Sequence, residues 1–120
     1  MKKHFSKLLL FSLLFILFLS SCSSVEEPPG VGEKAEQGYA VCNPIVDALE
    51  RYHNDKGAYP ETLNELIPEY LATVPQEVNN YPIRYDPVEG SFMLAFEYAG
   101  PGINVCIYSP EDEWKCSGAY

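Results

Sequence analysis

The segment that decides the fold is residues 33–57, which read EKAEQGYAVCNPIVDALERYHNDKG. At 100° per residue its apolar side chains fall on one side, the pattern of a helix packed on a core. This stripe consists of Ala35, Tyr39, Cys42, Ile45, Val46, Leu49, Tyr52 and His53. Gly57 follows where a left-handed C-cap is expected. The segment therefore predicts one amphipathic helix with one buried side.

Pro44 leaves the start of this helix open. With Asn43 as N-cap and Pro44 as the first helical residue, a helix would begin at residue 44. Alternatively, the helix begins near residue 34 and Pro44 kinks it on its solvent side. We favour the longer helix because the apolar stripe continues upstream of the proline.

Alternating apolar residues predict a β-hairpin further along the chain, after a short helix at residues 59–68. The arms of this hairpin are residues 81–85 and 92–98, joined by a turn. Placing Tyr85 opposite Phe92 puts all the apolar side chains of both arms on one face, so this register is self-consistent. The predicted fold class is α+β, with one long N-terminal helix packed on an antiparallel β-meander.

A second hairpin completes the predicted meander. Its arms are residues 103–108 and 114–118, and residues 109–113 form the loop. We pair Tyr108 with Trp114 across this hairpin. Together with Tyr120, these two aromatic residues form a candidate ligand surface that could stack on sugar rings or partner side chains. The simpler interpretation is cross-strand packing.

The same register places Cys106 opposite Cys116. Directly opposed residues in a close, non-hydrogen-bonded pair can form a disulfide, so we predict this bridge. Cys42 would then be a buried helix thiol. The alternatives are a bridge from Cys42 to one of the two hairpin cysteines, or no bridge.

The N-terminus has the order of a secretory signal, with basic, apolar and then small residues. Its apolar run, residues 8–19, is shorter than the roughly 20 residues that span a bilayer. Leu19-Ser20-Ser21-Cys22 resembles the bacterial lipobox. The resemblance implies that residues 1–21 are a lipoprotein signal peptide and that Cys22 carries acyl chains such as palmitate.

Acylation would place the protein in the cell envelope, because two or more acyl chains hold a protein stably on a membrane. Ser23, rather than Asp, follows the cysteine. In a Gram-negative source this resemblance implies the outer membrane. Residues 22–32, rich in proline and glycine, predict a flexible lipid-anchored tether, and residues 33–120 form the folded domain.

The order of motifs in the folded part resembles the globular domain of type IV pilin-like proteins, especially type II secretion pseudopilins. The resemblance is carried by Ala48-Leu49, Tyr52, Asp55-x-Gly57-x-Tyr59-Pro60, Thr62-Leu63, Leu66, Pro68, Tyr70-Leu71 and Val74-Pro75. It implies a helix packed across an antiparallel sheet, and partners among envelope or secretion-system proteins.

Two features depart from the pseudopilin pattern. Pseudopilins keep their apolar N-terminal helix for filament assembly, whereas here the apolar run ends in a lipobox and would be removed. Major pseudopilins also bind calcium in an acidic loop. Residues 111–113 of this chain are three consecutive acids, which cannot all point at one ion. We therefore expect no metal site.

The charge balance and the absence of catalytic motifs exclude several classes of function. After residue 21 the chain holds 5 basic and 17 acidic residues, which argues against nucleic acid and anionic lipid as partners. It has no phosphate loop, nucleophile elbow or paired-histidine motif. We expect no enzymatic activity and no cofactor. The expected function is a non-catalytic, lipid-anchored interaction protein; the alternative is a ligand-binding lipoprotein, for example glycan-binding, that uses the aromatic hairpin face.

Overall fold

The computed structural model describes residues 26–118, so the predicted signal peptide, the predicted lipidation site Cys22 and Tyr120 lie outside the described residues. The described part contains one α-helix, α1 (Glu33–Lys56), and a 3-10 helix at Leu63–Leu66. The strands are β1 (Glu77–Val78), β2 (Tyr81–Pro82), β3 (Arg84–Val88), β4 (Ser91–Ala99), β5 (Ile103–Ser109) and β6 (Glu113–Gly118).

Of the two predicted starts for the helix, the one near residue 34 is confirmed, since the 24 residues of α1 run through Pro44 without a break. Pro44 is exposed, on the side away from the core. At the C-terminal end, Gly57 takes a left-handed φ of 78° and its N–H donates to the His53 carbonyl oxygen. The buried side of the helix consists of Ala35, Gly38, Cys42, Ile45, Val46, Ala48 and Leu49.

The four longer strands form one antiparallel meander in the order β3-β4-β5-β6, and α1 packs on one of its faces. The α+β class is therefore confirmed. Alternation along β4 directs its large side chains inward, where they are almost fully buried. These are Phe92, Leu94, Phe96 and Tyr98. The opposite face of the sheet has no helix on it among the described residues.

Close contact between the helix and the sheet depends on Gly38. A Cβ atom at this position would overlap the ring of Phe96 on β4. The missing side chain thus lets the backbone of α1 lie directly on an aromatic ring. Tyr39, next in the chain, meets the edge of the same ring, with centroids 5.4 Å apart.

The register of the first hairpin differs from the predicted one by two residues. Tyr85 pairs with Leu94, not with Phe92, and the turn is only Glu89-Gly90. Gly90 takes a φ of 72°, which glycine adopts at little cost and which closes the tighter turn. A shift of two residues keeps every side chain on its own face, so the predicted core face survives the error.

Tyr81 does not extend the first hairpin as predicted. It lies in β2, which pairs with β1 in a separate two-stranded ribbon. Asn79 and Asn80 connect these strands with φ angles of 54° and 66°, and positive φ at both positions is typical of a tight hairpin turn. Val78 of this ribbon is buried in the core.

The short helix is also shorter than predicted. Residues 59–68 contain only the 3-10 turn Leu63–Leu66, which begins after Thr62. The Thr62 backbone N–H donates to Glu65 Oε2 at 2.8 Å, so this carboxylate caps the turn. Leu66 is fully buried and attaches the turn to the core.

Candidate functional site

The second hairpin has the predicted register. Cys106 lies directly opposite Cys116, and Tyr108 lies opposite Trp114. The predicted Cys106–Cys116 disulfide is present, with the two Cα atoms 4.1 Å apart, as in a close, non-hydrogen-bonded pair. Pairing continues to Ser109 and Glu113, so the loop is shorter than predicted. The hairpin is therefore covalently closed on itself rather than tied to the helix.

Cys42 is the free cysteine among the described residues, and it is fully buried on α1. Burial raises the pKa of this thiol to about 12, because the charged thiolate would lose its hydration inside the core. A thiol with so high a pKa is a poor nucleophile at neutral pH. Cys42 therefore acts as a small apolar core residue.

The predicted aromatic ligand surface packs toward the helix. Trp114 is half-buried, and its Nε1–H donates to Asn43 Oδ1 on α1 at 2.8 Å. Its ring lies edge-on to Tyr39 and Phe96, with centroid distances of 5.4 and 5.2 Å. Tyr108 meets Trp114 at 5.4 Å. The described aromatic residues of the hairpin thus join its inner face to the helix, and their role in ligand binding stays a prediction.

A contact that the sequence did not predict lies at the start of the described chain. Residues 28–32, here called the strap, pack against the domain although their composition indicated a tether. The Gly30 N–H donates to the Tyr98 hydroxyl oxygen at 2.7 Å, and the Tyr39 hydroxyl donates to the Gly30 carbonyl oxygen at 3.1 Å. A turn in which the Val31 N–H donates to the Pro28 carbonyl oxygen shapes the segment.

The strap lies directly over the disulfide. A Cβ atom on Gly30, whose φ is 86°, would come within 2.8 Å of Cys116 Sγ. The Tyr39 hydroxyl is 3.1 Å from the same sulfur. Burial, together with the nearby Tyr98 and Glu36, raises the pKa of Tyr39, so its hydroxyl keeps the proton that it donates. No local motif could have revealed this site, because Gly30 and Tyr98 are 68 positions apart in the sequence.

The other candidate groups form ordinary local contacts. His53 stacks on Tyr59 with ring centroids 4.3 Å apart. At the hairpin tip, Glu111 accepts a hydrogen bond from the Ser91 hydroxyl and Asp112 pairs with Lys115 at 2.7 Å. Within residues 26–118, no three His, Cys, Asp or Glu side chains are grouped so that they could hold a metal ion.

The surface of the described residues has several open clefts. One of about 560 Å³ lies between the start of α1 and the β1–β2 turn and is lined mainly by polar residues, namely Glu33, Lys34, Gln37, Asn79, Asn80, Tyr81 and Ala99. Its only ammonium group, on Lys34, already donates to the Ala99 carbonyl oxygen at 2.9 Å. The cleft contains no histidine, cysteine or serine side chain that could act as a nucleophile.

Between residues 26 and 118, no helix has the length and hydropathy that crossing a bilayer requires. The chain matches no protein-family model, and no curated protein or solved structure is detectably similar to it.

Proposed function

We propose that this chain is a non-catalytic, lipid-anchored protein of the bacterial cell envelope, acylated at Cys22, whose domain binds other envelope proteins. The observation that carries the proposal is an α-helix that packs on an antiparallel meander and begins 11 residues after the cysteine of a lipobox-like motif. Such an arrangement presents a small folded module beside a membrane.

We further propose a pilin-like domain that associates with a secretion or pilus system. The residues that carry this resemblance have structural roles around the end of α1. Tyr59 donates to Glu50 Oε1 at 3.1 Å, Tyr70 donates to Asp55 Oδ2 at 2.9 Å, and Pro60 is buried. Burial, followed by these hydrogen bonds to carboxylates, raises the pKa of both tyrosines to about 12. These contacts fix the chain between the helix and the sheet.

The outer face of the sheet is the surface that we assign to partners. It exposes apolar side chains that no described element covers, among them Val88, Met93, Ile103 and Ile107. Arg84 and Glu97 form an ion pair of 2.8 Å on this face, so these two charges neutralise each other. An apolar surface with a paired-charge rim is typical of protein interfaces.

The glycan-binding alternative depends on Tyr108, Trp114 and Tyr120. The first two are half-buried against α1 and the core, and Tyr120 lies outside the described residues. Carbohydrate binding by stacking needs an exposed ring face. The packing of Trp114 between Tyr39 and Phe96 therefore favours the interaction protein over the sugar-binding one.

Lipidation is tested by replacing Cys22 with serine and labelling cells with a palmitate analogue. We expect the wild-type chain to incorporate the label and partition into detergent, and the Cys22→Ser variant to remain an unlabelled precursor. The Cys42→Ser variant serves as the matched control, because it removes a cysteine without touching the lipobox. Equal processing and labelling of the wild type and the Cys22→Ser variant would refute the proposed anchor.

Partner binding is tested by placing a photo-crosslinking amino acid at Ile107 on the outer face and, as a control, at the exposed Glu69. In intact cells we expect Ile107 to form discrete adducts that contain a secretion or pilus component, and Glu69 to form none. Identical adducts from both positions would contradict an interaction face on the sheet. Glycan binding that is lost in the Trp114→Ala variant would instead support the alternative.

A further inference from the structure

We propose that the redox state of the Cys106–Cys116 disulfide controls the docking of the strap. The oxidised hairpin holds residues 28–32 on the domain, and reduction releases them. The inference does not depend on acylation of Cys22, since it concerns only contacts among described residues. Its three components are the strap, the two tyrosines that hold it, and the sulfur beneath it.

Apart from Gly32, whose carbonyl oxygen accepts from the Glu36 N–H at the start of α1, the strap is held through Gly30. Both backbone groups of Gly30 are hydrogen-bonded, the N–H to the Tyr98 hydroxyl and the carbonyl oxygen to the Tyr39 hydroxyl. Tyr98 is 5% exposed, so it is fixed in the core. The Tyr39 hydroxyl also lies 3.1 Å from Cys116 Sγ. This sulfur is therefore in direct contact with one of the two hydroxyls that hold the strap.

The two sulfurs differ in their freedom to move. Cys106 is fully buried on β5, which has a strand on either side, whereas Cys116 is half-buried on β6 at the edge of the sheet. Two unbonded thiols must separate to van der Waals distance, which a covalent bond does not require. Since Cys106 is enclosed by the core, we expect Cys116 to move. It has little room, because Gly30 and Tyr39 lie against its Sγ.

Reduction also changes the hydrogen bonding of the sulfur. A disulfide sulfur has no proton and can only accept, so the Tyr39 proton is shared between Cys116 Sγ and the Gly30 carbonyl oxygen. A thiol at Cys116 gains an S–H donor that competes for the Tyr39 oxygen. Both effects disturb the contact between the Tyr39 hydroxyl and the Gly30 carbonyl oxygen.

The reductant that this step requires is a dithiol, as in the thiol–disulfide oxidoreductases of oxidising compartments. Its thiolate attacks the half-buried Cys116 sulfur, which breaks the Cys106–Cys116 bond and forms a mixed disulfide. The second thiol of the reductant then displaces Cys116 and closes a disulfide within the reductant. Two electrons pass to the protein, and the two protons end on Cys106 and Cys116.

Thermodynamic linkage makes the coupling reciprocal. If reduction weakens the docking of the strap, then loss of the strap must favour reduction of the disulfide by the same factor at equilibrium. The strap also shields Cys116, so its release should speed attack by a dithiol. The proposal can therefore be tested from both ends with independent measurements.

The forward test measures amide hydrogen exchange of the full chain before and after reduction with dithiothreitol. We expect exchange at Gly30 to accelerate about ten-fold or more on reduction, because its N–H loses the hydrogen bond to the Tyr98 hydroxyl when the strap is released. Exchange at Val46 in the buried part of α1 should stay the same. Unchanged exchange at Gly30 would overturn the proposal, and so would equal acceleration at Gly30 and Val46, which would mean that the disulfide supports the whole fold.

The reverse test measures the rate at which dithiothreitol reduces the oxidised protein. Tyr98→Phe removes one hydroxyl that holds Gly30, and we expect reduction about five-fold faster, as the loss of one hydrogen bond implies. Tyr52→Phe, which removes a hydroxyl at the other end of α1, should have no effect. Equal rates for Tyr98→Phe and the wild type would contradict the coupling.

A glycine pair provides the sharpest control. Gly30→Ala would press a methyl group against Cys116 Sγ, so we expect a released strap and faster reduction. Gly57→Ala introduces the same methyl group at a similar φ, 78° against 86°, but with no atom within 4 Å. Both variants share the backbone strain. Faster reduction in both, or in neither, would show that contact with the sulfur has no part in holding the strap.

Discussion

The two faces of the four-stranded sheet differ in what covers them. On the inner face α1 buries Phe92, Leu94 and Phe96 completely, and the disulfide adds a covalent bond beside them. On the outer face Met93 and Ile107, neighbours of these residues in β4 and β5, are 43% and 40% exposed. The same strands thus supply both a core and an uncovered apolar surface. Stability is concentrated on one face, which leaves the other free to change without loss of the fold.

The largest effect is expected from a charge placed on the buried side of α1, which packs on the inner face of the sheet. Leu49 is fully buried on α1, so Leu49→Asp would bury a carboxylate without a partner. We expect the cooperative thermal transition to disappear. Asn54→Asp adds the same charge on the exposed side of the helix and should leave the melting temperature nearly unchanged. A normal melt for Leu49→Asp would mean that the proposed core face is wrong.

A second test uses the reactivity of Cys42. At pH 8 a thiol with a pKa of 9.0 is roughly 10% thiolate, whereas one with a pKa of about 12 is roughly 0.01% thiolate. In a Cys22→Ser background we expect alkylation of Cys42 by iodoacetamide about 10³-fold slower in the folded chain than in urea, with the rate rising as the pH rises towards 12. Similar rates in both conditions would show that the helix does not exclude water from this side.

The pKa of Cys42 also predicts how stability changes with pH. Because folding raises this pKa, the folded state holds a proton that the unfolded state loses above pH 9. The contribution of the thiol is fully present below pH 9, and stability should fall between pH 9 and about 12. Chemical denaturation at pH 8, 10 and 11 measures this loss. A Cys42→Ser variant should lose less stability over the same range.

Gly38 tests how closely the two layers fit. Gly38→Ala would push α1 away from Phe96, and overpacking of this kind costs about 1–3 kcal/mol of the free energy of unfolding. Gln37→Ala, on the exposed side of the same turn, should change it by less than about 0.5 kcal/mol. Denaturant titration distinguishes the two. A stabilised Gly38→Ala protein would contradict the tight contact.

The smallest effect is expected on the outer face. Ile107→Thr keeps a β-branched residue on the exposed side of β5 and should change the free energy of unfolding by at most about 0.5 kcal/mol. Leu94→Thr, its counterpart on the inner face, should cost about 2–5 kcal/mol. Equal costs would remove the difference between the faces. A small cost for Ile107→Thr together with a large one for Leu94→Thr would sharpen it.

The two hairpins show which parts of this fold can be predicted from the sequence. In the β5–β6 hairpin the cysteine pair marks one register, because a slip of one residue would put Cys106 and Cys116 on opposite faces. The β3–β4 hairpin has no such mark. Its apolar alternation is equally satisfied by registers two residues apart, and the tight turn at Gly90 selects between them.

The β1–β2 turn, the helix and the strap differ in how much local sequence signal each of them carries. The β1–β2 turn had a local signal, since two consecutive asparagines can both adopt positive φ, but the strands that it joins are only two residues long. The helix was predictable because its apolar stripe repeats over about five turns, from Ala35 to His53. The strap had no signal at all. Its composition is that of a linker, and the residues that hold it come from a helix and a strand distant in sequence.

The strap also sets how far the domain can travel from a fixed point. With the strap released, the free segment runs from Cys22 to Glu33 and can span at most about 36–40 Å. With the strap docked, the free segment ends at Pro28 and can span at most about 20–22 Å. The volume that the domain can search scales with the cube of this length and is therefore about six-fold smaller. With Cys22 acylated as proposed, the local concentration of the domain near a partner in the same membrane rises correspondingly when the strap is closed.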